Sequence, residues 1–172
     1  MRKKFRKAVR LSAVLALLLN AGCATFESGG LVPGQAKAED VQRSMGAPSD
    51  RLAFPDGSAT WFYTSAPMGR TTHAVHLSPE GVVKSIEQVL TQQSIAKLVP
   101  GTTTSAQVRE ILGPPGRISR MDRQQRNVWE YRMYNDAQDD FDLYVQLSDD
   151  DVVREVVFLK DYHKEPGGRG RR

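Results

Sequence analysis

Cysteine occurs once in these 172 residues, histidine three times and tryptophan twice. A single thiol leaves no internal disulfide and no cysteine-based metal site for a folded domain. The most apolar stretch, Leu11-Ser-Ala-Val-Leu-Ala-Leu-Leu-Leu19, is half the roughly 20 residues that a membrane-spanning helix needs. Gly-x-Ser-x-Gly, a phosphate-binding loop and a dinucleotide fingerprint are all missing, so the familiar nucleophile and nucleotide chemistries have no sequence support. Acidic residues are absent before position 23, where Arg2, Lys3, Lys4, Arg6, Lys7 and Arg10 stand. Subtracting those six from 24 Lys and Arg leaves 18 basic residues against 20 acidic. The net charge of +4 therefore belongs to the opening segment, and the remainder has no nucleic-acid character.

A basic opening followed by a short apolar core reads as a signal peptide over residues 1–22. Asn20-Ala21-Gly22-Cys23 closes it, with small residues before the only thiol. This looks like a lipobox, in which Cys23 is acylated and becomes the new N-terminus, although Asn20 stands where an aliphatic residue is usual. Two lipid signals on one cysteine make attachment effectively permanent. Ala24, rather than Asp, after the cysteine points to the outer membrane by the usual sorting rule. Residues 23–30 then form a tether.

The remainder contains one motif twice. Leu31-Val-Pro-Gly34, Val41, Met45-Gly46-x-Pro48 and Trp61-Phe-Tyr63 are matched by Leu98-Val-Pro-Gly101, Val108, Leu112-Gly113-x-Pro115 and Trp129-Glu-Tyr131. The offset is 67 as far as the proline, 68 at the tryptophan and 70 between Val75-His-Leu77-Ser78 and Val145-Gln-Leu147-Ser148. Slippage confined to loop positions indicates an internal duplication, with repeats over 31–90 and 91–162 and a basic, unstructured tail over 163–172.

Each repeat reads as a helix followed by an antiparallel meander. Val41 and Met45 share a helical face, as do Val108, Ile111 and Leu112; Thr104-x-x-Gln107 is a capping box, whereas Lys37 is a poor N-cap. Gly46 and Gly113 end the helices, and Pro48 and Pro115 prevent their resumption. Arg51 to Phe54 leads into a Pro55-Asp-Gly57 turn, and Thr91 to Lys97 is a short linking helix. Trp61 and Trp129 are the expected core anchors, with Tyr63 and Tyr131 on the same faces. Val152 to Leu159 has apolar residues on both faces and is expected to lie centrally in its sheet.

No catalytic or metal constellation is expected. His73 and His76 are an odd number apart, so a strand sends them to opposite faces. The aspartates at 136, 139, 140 and 142 lack the glycine and glutamate of a calcium loop, and Asp149-Asp-Asp151 reads as a solvated turn. The remaining candidate surface is the outward face of the sheet, carrying Phe62, His76, Arg132 and Tyr144. Aromatic and arginine side chains among polar ones suit a protein-binding face. A solvated exterior, or a face covered by the other repeat, are the alternatives.

In this order, twice, behind a lipobox, Val99, Gly101, Gln107-Val108, Leu112-Gly113-x-Pro115 and Trp129-Glu-Tyr131 resemble the small outer-membrane lipoprotein family of BamE, also called SmpA/OmlA. The first copy carries the same pattern more weakly, at Gly34, Val41, Met45-Gly46-x-Pro48 and Trp61-Phe-Tyr63. The resemblance implies an α+β fold of two helix-helix-three-strand units, which in tandem look like the fold of beta-lactamase inhibitor protein. It also implies an accessory role in assembling outer-membrane β-barrel proteins. Gln35-Ala36 and Thr102-Thr103 replace the family's usual Met-Thr, and its well-known members carry one unit. The expectation is a non-enzymatic lipoprotein without cofactors, facing the periplasm and binding an envelope protein, plausibly the barrel-assembly machinery. An inhibitor-like binder of an envelope enzyme and a lipid or small-ligand binder are the alternatives.

Overall fold

The computed structural model describes residues 30–67 and 69–160, and among these two repeats of helix followed by antiparallel sheet account for the regular structure. The signal peptide, Cys23, the tether up to residue 29 and the 163–172 tail lie outside the described residues. The first repeat runs α1 (Ala38–Met45), β1 (Asp50–Ala53), β2 (Ala59–Thr64), β3 (Thr72–Leu77) and β4 (Val83–Gln88). The second runs α2 (Gln92–Ile95), α3 (Ser105–Leu112), β5 (Arg117–Met121), a 3-10 turn at Asp122–Gln124, β6 (Arg126–Tyr134), β7 (Asp140–Ser148) and β8 (Val153–Lys160). Each sheet has four strands in sequence order, β1-β2-β3-β4 and β5-β6-β7-β8, all antiparallel.

Three expectations need correction. The sheets are four-stranded rather than three-stranded, because the segments after each helix, Asp50–Ala53 and Arg117–Met121, pair with the next strand. The helix-helix pattern is present only in the second repeat, where α2 is a single turn capped by Thr91; one helix of the first repeat is described. β8 is an edge strand, not a central one. It carries a bulge: Leu147 pairs with Val153 but Gln146 with Glu155, so Arg154 is the extra residue. After that slip Val153, Val156 and Phe158 face inward, while Val157 and the exposed Leu159 face outward beside Tyr144 and Asp142. The first repeat has the same bulge at Lys84, between the pairs Leu77–Val83 and His76–Ser85.

The helices end alike. Gly46 and Gly113 hold φ of 78° and 77°, left-handed values that favour glycine. The α3 cap is a full capping box: Thr104 Oγ1 accepts from the Gln107 N–H at 3.3 Å, and Gln107 Oε1 accepts from the Thr104 N–H at 2.9 Å. In α1 only the reciprocal half exists, the Asp40 carboxylate accepting from the Lys37 N–H at 3.0 Å, because an ammonium group accepts nothing. That bond and the Arg43 guanidinium hold the Asp40 carboxyl below its ordinary range.

Each Leu-Val-Pro-Gly loop is sewn to the last strand of its own repeat. The Gly34 N–H donates to Val83 O at 2.8 Å and the Val83 N–H to Ala36 O at 2.8 Å. Gly101 and Val153 repeat this at 2.7 Å, with the Val153 N–H donating to Thr103 O at 2.8 Å. The inner faces form two cores. Val41, Val75, Leu77 and Val83 fill the first, and Val108, Leu112, Tyr131, Met133, Leu143, Val145 and Leu147 the larger second.

The tryptophans are not the anchors. Trp61 and Trp129 are half-buried at the margins of the cores, Trp61 beneath the Arg51 guanidinium at 4.5 Å from its ring centroid. Phe62 and Tyr131 are the fully buried aromatics. Trp129 pairs with Ile118 on the short strand β5, whose side chain is 60% exposed, so its margin stays wet.

Candidate functional site

The outward faces of the two sheets have opposite fates, and α3 is the cause. Its Val108 and Leu112 fill the core of its own repeat. Arg109 and the helix end turn the other way, onto the first sheet. Arg109 Nε donates to Asp50 Oδ2 at 2.6 Å, and a second nitrogen reaches Oδ1 of the same carboxylate, a bidentate fork that raises the arginine's pKa further. Gly113 lies against Phe62 and Thr72: a Cβ there would stand 2.9 Å from Phe62 Cδ1 and 2.9 Å from Thr72 Cγ2. Phe62, Ala74 and Thr72 are thereby fully buried, and Phe62 and Ala74 make with Val89 and Leu52 a third apolar cluster beneath the junction.

Phe62 does occupy the outward face, but it is covered, so it is removed from the binding surface. His76, on the same face, is half-buried at the margin, its Nδ1 2.9 Å from Thr60 Oγ1 and its Nε2 2.8 Å from Glu87 Oε1. His73 stands opposite Tyr63 and His76 opposite Thr60, on opposite faces as the spacing predicts. The four expected face residues are therefore split. Phe62 and His76 are diagonal neighbours on the first sheet and Arg132 and Tyr144 on the second, where Arg132 pairs in register with Asp142 and Tyr144 with Glu130.

This second outward face carries a lattice of charge. Glu130 Oε1 lies 3.4 Å from Arg117 Nε and accepts from Ser119 Oγ at 2.9 Å. Arg132 Nε lies 3.6 Å from Asp142 Oδ1, and Arg126 donates to Gln146 at 2.8 Å and to Glu155 at 3.1 Å. Over one end of it reaches the loop joining β2 to β3. Arg70 holds that loop down: it is 3% exposed, lies 2.7 Å from Asp140 and sits 5.9 Å from the Tyr134 ring centroid. Between loop and sheet is a cleft of about 300 Å³, with Ala66 and Pro67 on one side and Glu130, Arg132, Asp142 and Tyr144 on the other.

The repeated motif residues are structural. The hydroxyl of Tyr63 donates to Gly46 O at 3.2 Å, and that of Tyr131 to Gly113 O at 3.2 Å, so each tyrosine ties its strand to the end of its helix. Burial pushes the Tyr131 phenol far above its ordinary value. Gly34 and Gly101 take φ of 81° and 79° in the sewn loops, and Pro48 and Pro115 follow the helix ends. Among the described residues no three His, Cys, Asp or Glu groups are placed to hold a metal ion.

Reading the motif for its matches missed Asp50, Arg109, Glu130 and Asp142. The signal lay in the mismatches. At equivalent places Asp50 becomes Arg117, Phe62 becomes Glu130, Ala74 becomes Tyr144, and Gln42 becomes Arg109. Each difference falls on an outward position or on the helix face that meets one.

No family model and no curated protein matches this chain. Among solved structures it is similar to YjgB, a DUF4309 family protein from Bacillus subtilis, at 16% identity over 77% of this chain and 83% of that one, with a TM-score of 0.30. It is also similar to a proposed beta-lactamase inhibitor protein from Streptococcus mutans, at 12% identity over 72% and 82%, with a TM-score of 0.29. Likenesses at that level assign neither a family nor an activity.

Proposed function

We propose that this chain is a non-enzymatic lipoprotein, tethered to the outer membrane through acylated Cys23 and facing the periplasm, that binds another envelope protein through the outward face of its second sheet. The finer role, suggested by the BamE-like motif, is that of an accessory in outer-membrane β-barrel assembly. One observation supports the choice of face above others. Of two equivalent sheet faces, the first is closed by α3, whereas the second, with Arg132 and Tyr144, has no helix laid across it among the described residues. Tyrosine and arginine at the centre of such a face are the residue types that dominate protein interfaces.

The test is photo-crosslinking in cells from position 144, with position 43 on the exposed side of α1 as the control. The expected result is one envelope protein captured from 144 and not from 43. A barrel-assembly component supports the finer role, and a hydrolase supports an inhibitor-like binder instead. No adduct, or equal capture from both positions, would sink the assignment of the face.

A further inference from the structure

We infer that the cleft between the β2–β3 loop and the second sheet is a receptor for one basic side chain, an arginine presented by the protein partner, with its guanidinium between Glu130 and Asp142 and its stem against Tyr144. The inference rests on the protein-binding reading of this face and names the chemistry that the partner must bring.

Size comes first. About 300 Å³ is at the lower limit of ligand clefts, roughly 300–1,000 Å³, so it holds one long side chain and no folded element. The sign of the charge follows from depth. The carboxylate side chains are the deeper groups, 23% exposed for Glu130 and 27% for Asp142, whereas Arg117 and Arg132 are 72% and 38% exposed. Contacts of 3.4 and 3.6 Å through Nε are longer than charge-assisted hydrogen bonds of about 2.7–2.9 Å, so both carboxylates have room for a closer cation. An anion would have to displace the carboxylates from the floor to reach arginines that stand at the rim.

The walls suit a guanidinium on an aliphatic stem. Glu130 and Asp142 are diagonal neighbours across β6 and β7 that line one cleft, within reach of a single long side chain, and Tyr144, directly opposite Glu130, lines it beside them. Ala66, Pro67 and Pro114 offer the stem an apolar wall. Thr72 lines the back, and its buried hydroxyl has no hydrogen-bond partner among the described residues.

A second copy of this chain is not the occupant. The helix end that closes the first sheet lands on Phe62 and Thr72, and here the equivalent positions are Glu130 and Asp142. The matching helix α1 offers Gln42 in place of Arg109, so the ion pair that fixes the internal junction has no counterpart.

The full-length chain in detergent micelles is titrated with acetyl-Gly-Arg-Gly-amide, and with the same peptide carrying norleucine or glutamate in place of arginine, followed by ligand-observed NMR. The expected result is saturable binding of the arginine peptide, roughly tenfold tighter than either other peptide, and lost in the Glu130→Gln/Asp142→Asn double variant. Both changes are isosteric on a partly solvated face, and unaltered circular dichroism confirms the fold. Equal binding of the norleucine peptide, tighter binding of the glutamate peptide, or an affinity unchanged in the double variant overturns the inference. If the peptides fail while position 144 still captures a partner, the receptor is wrong and the proposed function stands. If both fail, both fall.

Discussion

Tyr63 and Tyr131 make the same bond in different solvents, which allows the value of burial to be measured. Removing the Tyr131 hydroxyl leaves the Gly113 carbonyl unpaired in a buried site, and Tyr131→Phe should cost about 1–2 kcal/mol by denaturant unfolding. Tyr63→Phe exposes its carbonyl to water and should cost less than about 0.5 kcal/mol. The buried phenol also carries a pH signature. Its folded pKa is raised above the unfolded value of about 10, so the folded chain keeps a proton that the unfolded chain releases. The associated stability is intact below pH ~10 and is lost as pH rises beyond it. The denaturation midpoint should fall between about pH 9 and pH 11, and fall less in Tyr131→Phe. An identical pH dependence in the two proteins would remove Tyr131 as its source.

The two long helices differ most at their first residue. Thr104 closes a reciprocal cap, whereas Lys37 leaves the N3 N–H of α1 without a side-chain acceptor. Thr104→Ala should destabilise by about 1 kcal/mol, and Lys37→Thr, at a residue whose φ of −107° and ψ of 165° already suit a cap, should stabilise by a similar amount. Thermal unfolding of both variants checks the pair together; a loss in Lys37→Thr would mean that the lysine holds something other than the helix. At this scale sequence reading succeeds where periods are undisturbed. The helices, their glycine stops and the hairpin turns were legible because spacing and residue type agree. β8 was misplaced because its apolar residues on both faces read as central burial, whereas the outward ones, Val157 and the exposed Leu159, stand beside Tyr144 and Asp142 at a sheet edge. The short strands β1 and β5 escaped notice because four or five residues with mostly exposed side chains carry no apolar pattern.

The repeats are joined by a helix end lying on the neighbouring sheet, and the equivalent glycines test that junction. Gly46 and Gly113 have the same left-handed backbone, yet a Cβ at Gly46 meets nothing within 4 Å, while one at Gly113 collides with Phe62 and Thr72. Gly46→Ala should cost about 1–3 kcal/mol from backbone strain alone, and Gly113→Ala a further 1–3 kcal/mol from overpacking. Equal losses in denaturant titrations would show that the junction yields freely. Which face binds was only half legible for the same reason. Phe62 and Tyr144 both read as outward aromatics, and nothing local to either says that α3 covers one and leaves the other. The sequence alone determined the duplication, the helix stops and the turn positions, because these depend on neighbours a few residues apart or on direct comparison of two stretches. Tertiary structure alone decided which tyrosine is dry, that the tryptophans stand at the margins, and which sheet face α3 closes. Those outcomes depend on α3 meeting residues some sixty positions away, as Arg109 meets Asp50, and no period within a single element encodes that contact.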